Sequence, residues 1–443
     1  MLKTLRRHKK IIIAFLAIGL FVYGPSIIGN SFVNWDDYNL ILENPVLQTL
    51  TLSNIWAMFS MYDPDLYIPL TFLSYQAERI IGGGEFIPWI SHLINLLLHI
   101  GSALLIVGIT SRMSKNSWIG VMTGLLFLVH PLHTEAVAWA SARKDVLATM
   151  FFLMSIWWYQ KKQIKISVGT FVLALLSKVI AITLPVALLL IDWREGRKID
   201  KHCLKEKIPY FALSLVFGVI AIGGKTDAGF HMVDKMLIGV RSIMFYLEKI
   251  FVPMKLAVLY PFTEAISISN PELALSAAGV VGISIIAFLT VRRTKEIAFA
   301  WIFFLVTVFP TLTNFTKGDN MLLDVYIASD RYAYIPSIAI LFLAATVLYS
   351  FKEKFKRFVF WISVVVVMTF GFLSYHQSKM WRDTSFVFLN VIQHYDNSHH
   401  AHNSVGVELE NRGYIELAKA EYEKSLSIRP NEKAHYNLGR IYA

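Results

Sequence analysis

Lys9-Lys10 followed by Ile11-Ile12-Ile13-Ala14-Phe15-Leu16-Ala17-Ile18-Gly19-Leu20 decides the fold. The apolar run continues to Gly29, and roughly 20 such residues cross the ~30 Å hydrocarbon core of a bilayer. A cleaved leader has a shorter apolar core and a small-residue cleavage site, so this run reads as an uncleaved anchor. Basic residues collect at cytoplasmic span ends, which puts Lys3, Arg6, Arg7, Lys9 and Lys10 inside the cell. The chain then emerges on the outer face at Asn34-Trp35-Asp36-Asp37-Tyr38. Adjacent carboxylates repel, so this pair calls for a cation, a hydrogen-bond donor or a metal beside it.

The composition agrees with a membrane chain. Of 443 residues, 55% are hydrophobic and 16% charged, with a mean hydropathy of +0.52, whereas soluble domains are about a quarter charged. The net charge of +11 comes from short basic runs between apolar stretches, a loop pattern that argues against nucleic-acid binding. The single cysteine, Cys203, excludes an internal disulfide and a cysteine metal cluster.

Alternating basic loops give the expected path. Residues 30–86 form an outer loop in which Leu70–Ile81 reads as an interfacial helix. Spans follow over Phe86–Met113, Trp118–Ala138 and Val146–Tyr159. Read as one span, Ile166–Asp192 would put Arg194, Arg197, Lys198, Lys201, Lys205 and Lys207 outside. Ser177-Lys178 interrupts it, so two short helices forming a hairpin, with Lys178 toward the outer side, fit better. Ile208–Gly223 leads to an outer loop over Lys225–Lys235. Met236–Phe262 carries Arg241, Glu248, Lys249 and Pro253, and reads either as two crossings or as an interfacial segment. Leu273–Val291, Ile297–Phe315, Tyr332–Ser350 and Phe358–Tyr375 complete an all-α polytopic bundle of 11–13 membrane helices, with an outer loop over Asn314–Asp330.

After Tyr375 the chain turns polar. Val405-Gly406, Gly413, Ala418, Tyr422, Ser425 and Pro430 fit one tetratricopeptide unit of 34 residues, and Tyr436-Asn437-Leu438-Gly439 starts another. The expected division is a membrane domain over 1–378 and an extracytoplasmic repeat segment over 379–443. So short an array suggests truncation, or packing of the repeat on the membrane domain or a protein partner.

Chemistry-bearing residues gather at the outer border. If the third span continues through Pro131, His130 and His133 share a face with Glu135 one turn or less away. That set could hold a divalent metal, neighbour a phosphate or orient other acids, or its histidines could simply bond backbone carbonyls. His92, Asn95 and His99 form a polar stripe suited to interhelical bonding. Lys178 and Arg241 could bind an anion or pair with carboxylates. Arg331, between Asp330 and Tyr332, could clamp a phosphate or snorkel to the interface.

These stretches, in order, resemble the transmembrane and tetratricopeptide-repeat O-mannosyltransferases. The resemblance rests on Asn34-Trp35-Asp36-Asp37 with Glu43-Asn44-Pro45, Tyr67-Ile68-Pro69-Leu70-Thr71, His92-Leu93-Ile94-Asn95, and His130 to Glu135 with Arg143. It continues through Leu176-Ser177-Lys178, Ser329-Asp330-Arg331-Tyr332, Trp381-Arg382-Asp383 and the repeat. It implies a GT-C glycosyltransferase fold, a sugar donor carried on polyprenyl phosphate, and a catalytic acidic pair in the first outer loop. Two departures stand out: Val179 replaces the acid that often follows the Ser-Lys pair, and the repeat array is shorter than in animal members.

The expected function is transfer of mannose or another hexose from a polyprenyl-phosphate carrier to a hydroxyl on a protein or glycan at the outer face. Asp36 or Asp37 would act as base, with Asp36 favoured. Arg331, Lys178, Arg143 and Tyr332 would bind the phosphate, and His130, His133, Glu135, His92 and Asp330 would support them. Asp37, His133 and Glu135 are the candidate ligands for a divalent metal such as Mg or Mn. A prokaryotic cytoplasmic membrane is expected over the endoplasmic reticulum. The rivals are a lipid transporter, which predicts duplicated spans, and a scaffold that recruits partners through the repeat.

Overall fold

The computed structural model describes residues 2–62, 66–224, 232–312, 316–317, 324–351 and 354–443. Parts of the loops expected over 225–235 and 314–330 lie outside the described residues. The protein is an all-α integral membrane protein. Its only strands among the described residues are a two-residue antiparallel pair, Thr316–Lys317 with Asp324–Val325.

The anchor is α1 (Leu2–Gly29). The loop after it carries α2 (Leu52–Ser60), capped by Thr51, and α3 (Pro69–Ile81). α3 matches the expected interfacial helix in extent but not in placement. It buries Thr71, Phe72, Tyr75, Gln76 and Glu78 inside the protein and leaves Ile80 and Ile81 exposed. α4 (Pro88–Ser114) is a full-length span whose polar stripe faces other helices. His99, for example, bonds the Leu128 carbonyl at 3.0 Å and Tyr334 Oη at 2.6 Å.

The third span breaks where a continuous helix was expected. α5 (Ser117–Leu128) and α6 (Thr134–Ala138) meet at 55° across a turn at Pro131–His133. Proline crowds the preceding residue out of the α region, and His130 is accordingly extended at ψ 125°.

α7 (Arg143–Gln160) is followed by α8 (Ile164–Ser177) and α9 (Leu184–Arg194). These last two are the expected hairpin. The backbone turns at Lys178 (φ −163°, ψ 134°), and Lys178 reaches Asp145 at the start of α7. Arg194, at the far end of α9, bonds the Met113 carbonyl at the end of α4 and Glu296. Lys178 and Arg194 therefore mark opposite ends of the bundle.

At the Arg194 end, short α10 (Lys201–Lys205) closes a polar knot. Arg197 and Lys207 converge there on Asp192 and Glu206, with Tyr159 Oη 2.7 Å from Asp192. α11 (Ile208–Gly223) exposes Leu215, Val216, Val219 and Ile222.

The ambiguous stretch resolves into one helix, α12 (Met232–Phe251), before Pro253. Arg241 midway along it pairs with Glu272 at the beginning of α13 (Pro271–Thr290), and the Ile250 carbonyl at its end bonds His130. The middle and the C-terminal end of α12 thus both meet groups at the Lys178 end of the bundle. The remaining bundle helices are α14 (Glu296–Val308), α15 (Ser337–Ser350) and α16 (Lys356–Lys379). Four helices among the described residues are long and apolar enough to cross a membrane singly, or five counting the bent pair, and several shorter apolar helices pack between them.

α17 (Thr384–His394), α18 (His399–Asn411), α19 (Ile415–Ile428) and α20 (Glu432–Tyr442) form the polar segment. The repeat signature is used as the spacing predicts. A Cβ on Gly406 would lie 2.5 Å from the buried Tyr422 ring, so α18 and α19 approach only through glycine. Gly413 turns between them at φ +82°, and Asn437 Nδ2 donates to Asn403 Oδ1 at 3.1 Å.

Candidate active site

The carboxylates of the opening pair have different surroundings. Asp37 is fully buried. One oxygen accepts from Val33 N at 2.8 Å, and the other from Ser141 N at 2.9 Å and from the Ser141 hydroxyl. Burial pushes its pKa up to about 6, although these hydrogen bonds pull it back. The stretch that receives it is itself pinned, since Tyr75 Oη donates to the Ala140 carbonyl and Asn95 Nδ2 to the Trp139 carbonyl, each at 2.9 Å. Asp37 thus fastens the first loop to residues 139–142. Asp36 is half-buried, and its carboxylate accepts no hydrogen bond from a described residue.

Two cations stand near it and a third beside them. Lys144 and Arg331 lie within electrostatic reach of Asp36, and Lys178 within reach of both. Each is held by one partner: Lys144 Nζ by the Ser141 carbonyl at 2.8 Å, Lys178 Nζ by Asp145 at 2.6 Å, and Arg331 by Glu135. Two rings lie under them. Arg331 sits 5.1 Å from Trp139 and 5.0 Å from Tyr332, Lys144 5.5 Å from Trp139, and Lys178 5.4 Å from Tyr332. Each ammonium keeps spare N–H groups, and Arg331 Nε is buried with no acceptor. Such a cluster is equipped to receive an anion.

Arg331, Lys178 and Tyr332 therefore meet where the sequence placed them. Arg143 does not. It is sealed in the interior, bonded to Glu78 at 2.7 Å, the Ser91 carbonyl at 3.1 Å and Asn95, and its neighbour Lys144, also buried, joins the cluster over Trp139. Successive helical residues are 100° apart, so the turn at 139–142 that aims Lys144 at the cluster turns Arg143 inward. The adjacent basic pair was visible in the sequence; which member faces the site was not. Ser141 and Trp139 were missed because no motif distinguishes them.

The histidines are structural. His130 bonds the Ile250 carbonyl at 2.9 Å and caps Leu132 N at 3.2 Å, while His133 bonds the Phe127 carbonyl at 2.8 Å and Ser337 Oγ at 2.9 Å. With the helix broken at Pro131 they face the core, and neither bonds an acid. His92 is buried within electrostatic reach of Arg143. Asp330 accepts from Tyr260 Oη at 2.7 Å and backs the Arg331 turn. Glu135 supports the site by holding Arg331, and Arg241 is paired with Glu272.

The expected metal set does not converge. Asp37 is filled by three donors, Glu135 by Arg331, and His133 by two oxygens. Among the described residues no three His, Cys, Asp or Glu side chains stand close enough to hold an ion.

The fold and this cluster define a class, a multi-pass membrane protein with a carboxylate and a cluster of cations at one end of the bundle. Within that class the chain is similar, over nearly its whole length, to proteins named protein O-mannosyl-transferases. The human TMTC3 protein of that name is 22% identical over 475 residues, 92% of this chain and 50% of that protein. The mouse TMTC2 protein is 42% identical over 99 residues, 21% of this chain and 11% of that protein. The chain spans about half the length of the curated relatives it matches end to end. No known family profile matches it. Among solved structures, the Archaeoglobus fulgidus oligosaccharyltransferase AglB, described as in complex with an inhibitory peptide and a dolichol-phosphate, aligns over 84% of this chain and 56% of its own. That alignment has 13% identity and a TM-score of 0.48.

Proposed function

We propose that the protein is a membrane glycosyltransferase that moves mannose or another hexose from a polyprenyl-phosphate carrier to a hydroxyl on a protein or glycan. The observation that carries this is the half-buried Asp36 carboxylate within electrostatic reach of Lys144 and Arg331, with Lys178 sharing the Tyr332 ring with Arg331. The similarity to O-mannosyl-transferases over 92% of the chain supports it.

Asp36 takes the proton of the acceptor hydroxyl as its oxygen attacks the sugar's anomeric carbon. The bond from that carbon to the phosphate oxygen breaks, and the electron pair leaves with the lipid phosphate. Lys144, Lys178 and Arg331 stabilise the charge that grows there. Attack opposite the leaving phosphate inverts the anomeric centre. Asp37 positions the loop. No step passes through a metal, because the proposed ligands already have other partners.

The positive-inside rule puts the Asp36 end on the extracytoplasmic face, with the repeat beside it and the Arg194 knot in the cytoplasm. The preference for a prokaryotic membrane rests on the sequence reading alone.

The test is transfer of radiolabelled mannose from polyprenyl-phosphate mannose in membranes carrying the full chain. Asp36→Asn is expected to lower turnover 10²- to 10⁴-fold, the usual worth of a general base. Full activity in that variant would overturn the assignment.

A further inference from the structure

Trp35 immediately precedes Asp36, and the partners that stack on its ring come from the repeat-bearing segment. Phe388 of α17 stacks on it at 5.1 Å between centroids with the planes 27° apart, and His400 of α18 lies at 5.0 Å. Phe388 and His400 also pack on each other at 6.0 Å. The backbone before Trp35 is tied to the same segment. Asn34 N donates to Thr384 Oγ1 at 2.8 Å and Ser31 N to the Arg382 carbonyl at 2.7 Å, while the Asn30 side chain reaches the Ser378 carbonyl at the end of α16 at 3.1 Å.

The segment is in turn clamped to the bundle. Trp381 stacks on Trp139 at 5.4 Å, and Asn390 Nδ2 donates to the Leu256 carbonyl at 2.8 Å. The loop around Asp36 is therefore held from two sides. Asp37 ties it to membrane helices through Ser141, and Trp35 ties it to α17 and α18. Removing either tie lets the intervening residue swing, and a 1 Å displacement of a reacting group costs on the order of 10²-fold in rate.

We infer that Phe388 and His400 are positioning residues for Asp36, so the repeat-bearing segment forms part of the active site and is not only an appended docking module. This rests on the reading of Asp36 as the base.

Two measurements on the full chain test it. The first reads position without activity. In a Cys203→Ser background, the thiol introduced by Asp36→Cys is labelled with a water-soluble maleimide. Phe388→Ala is expected to change the labelling rate at least fivefold, and Phe388→Tyr, which keeps the stack, to leave it within twofold. An unchanged rate with Phe388→Ala overturns the inference, and so does a global loss of folding that Phe388→Tyr shares.

The second is a double-mutant cycle in turnover of polyprenyl-phosphate mannose. Trp35→Ala, Phe388→Ala and the double variant are each expected to lose about tenfold in kcat with donor KM within twofold, because Phe388 acts through Trp35. Multiplying losses, or a rise in KM alone, overturns it. If Phe388→Ala alters labelling while Asp36→Asn retains full turnover, the placement of residue 36 stands and the assignment of Asp36 as base falls.

Discussion

Replacing Asp37 by asparagine separates an anchoring role from a catalytic one. Asp37 accepts from Val33 N on one oxygen and from Ser141 N and Oγ on the other. An amide of the same shape keeps one acceptor and turns a donor toward at least one of those groups. A buried donor left unpaired costs about 1–3 kcal/mol. The opposing effect is the buried charge that Asp37→Asn removes. Burial raises the carboxyl to about 6, well above the ordinary aspartate range, a difference worth about 3 kcal/mol. Because the folded pKa lies above the unfolded one, the folded state binds more protons between pH 4 and 6, and stability contributed by this group falls as pH rises through that window.

At pH 7.5 the two effects nearly cancel, so Asp37→Asn should melt within a few degrees of the unmodified protein. Below pH 4, where the charge penalty is gone for both, it should be the less stable. Turnover should fall about 10- to 100-fold from misplacement of Asp36, and any acid limb near pH 6 that reflects Asp37 protonation should disappear. Melting of purified protein from pH 4 to 8, with donor turnover over the same range, checks both. Turnover within threefold of the unmodified protein would falsify the anchoring argument. A loss matching that of Asp36→Asn, with unaltered labelling of residue 36, would make Asp37 the base.

Arg331→Lys keeps a charge but loses the planar guanidinium, one nitrogen of which meets Glu135 while its buried Nε has no acceptor. Turnover should fall 10- to 100-fold, with less loss than in Arg331→Ala, in the same donor assay. Arg143→Met leaves Glu78 buried and uncompensated, which costs about 3–5 kcal/mol; a lower melting temperature and yield should appear, and Glu78→Gln with Arg143→Met should recover part of both. Gly406→Ala drives a methyl into the Tyr422 ring, an overpacking cost of about 1–3 kcal/mol. Limited proteolysis should then cut the region of α18 and α19 earlier while the bundle remains intact.

What the sequence revealed depended on how local the cause was. The turn at Lys178 was legible because a charge interrupts an apolar run and the basic loop after it demands a return. Gly406 and Tyr422 were legible because the repeat fixes their spacing. The roles of His130 and His133 were misread because Pro131 ends the helix that would have aligned them. Arg143 and Lys144 are equivalent in composition, and only the rotation set by the turn at 139–142 distinguishes them. The tie between Trp35 and Phe388 joins residues 353 positions apart, beyond any periodic signal. The fold follows from local patterns that accumulate, whereas the site depends on long-range contacts that each need a third dimension.

The helices flanking Lys178 have a consequence for the lipid. α8 has 14 residues and α9 has 11, about 21 Å and 17 Å at 1.5 Å per residue, against a hydrocarbon core of about 30 Å. Measured from a base at one hydrocarbon face, the hairpin tip would stop about 10 Å short of the opposite headgroup level. A carrier phosphate that meets Lys178 must sink below that plane, or the surrounding leaflet must thin to meet it, and either costs free energy that grows with acyl-chain length. Under the proposed function, thicker membranes would then make a carrier's phosphate harder to seat.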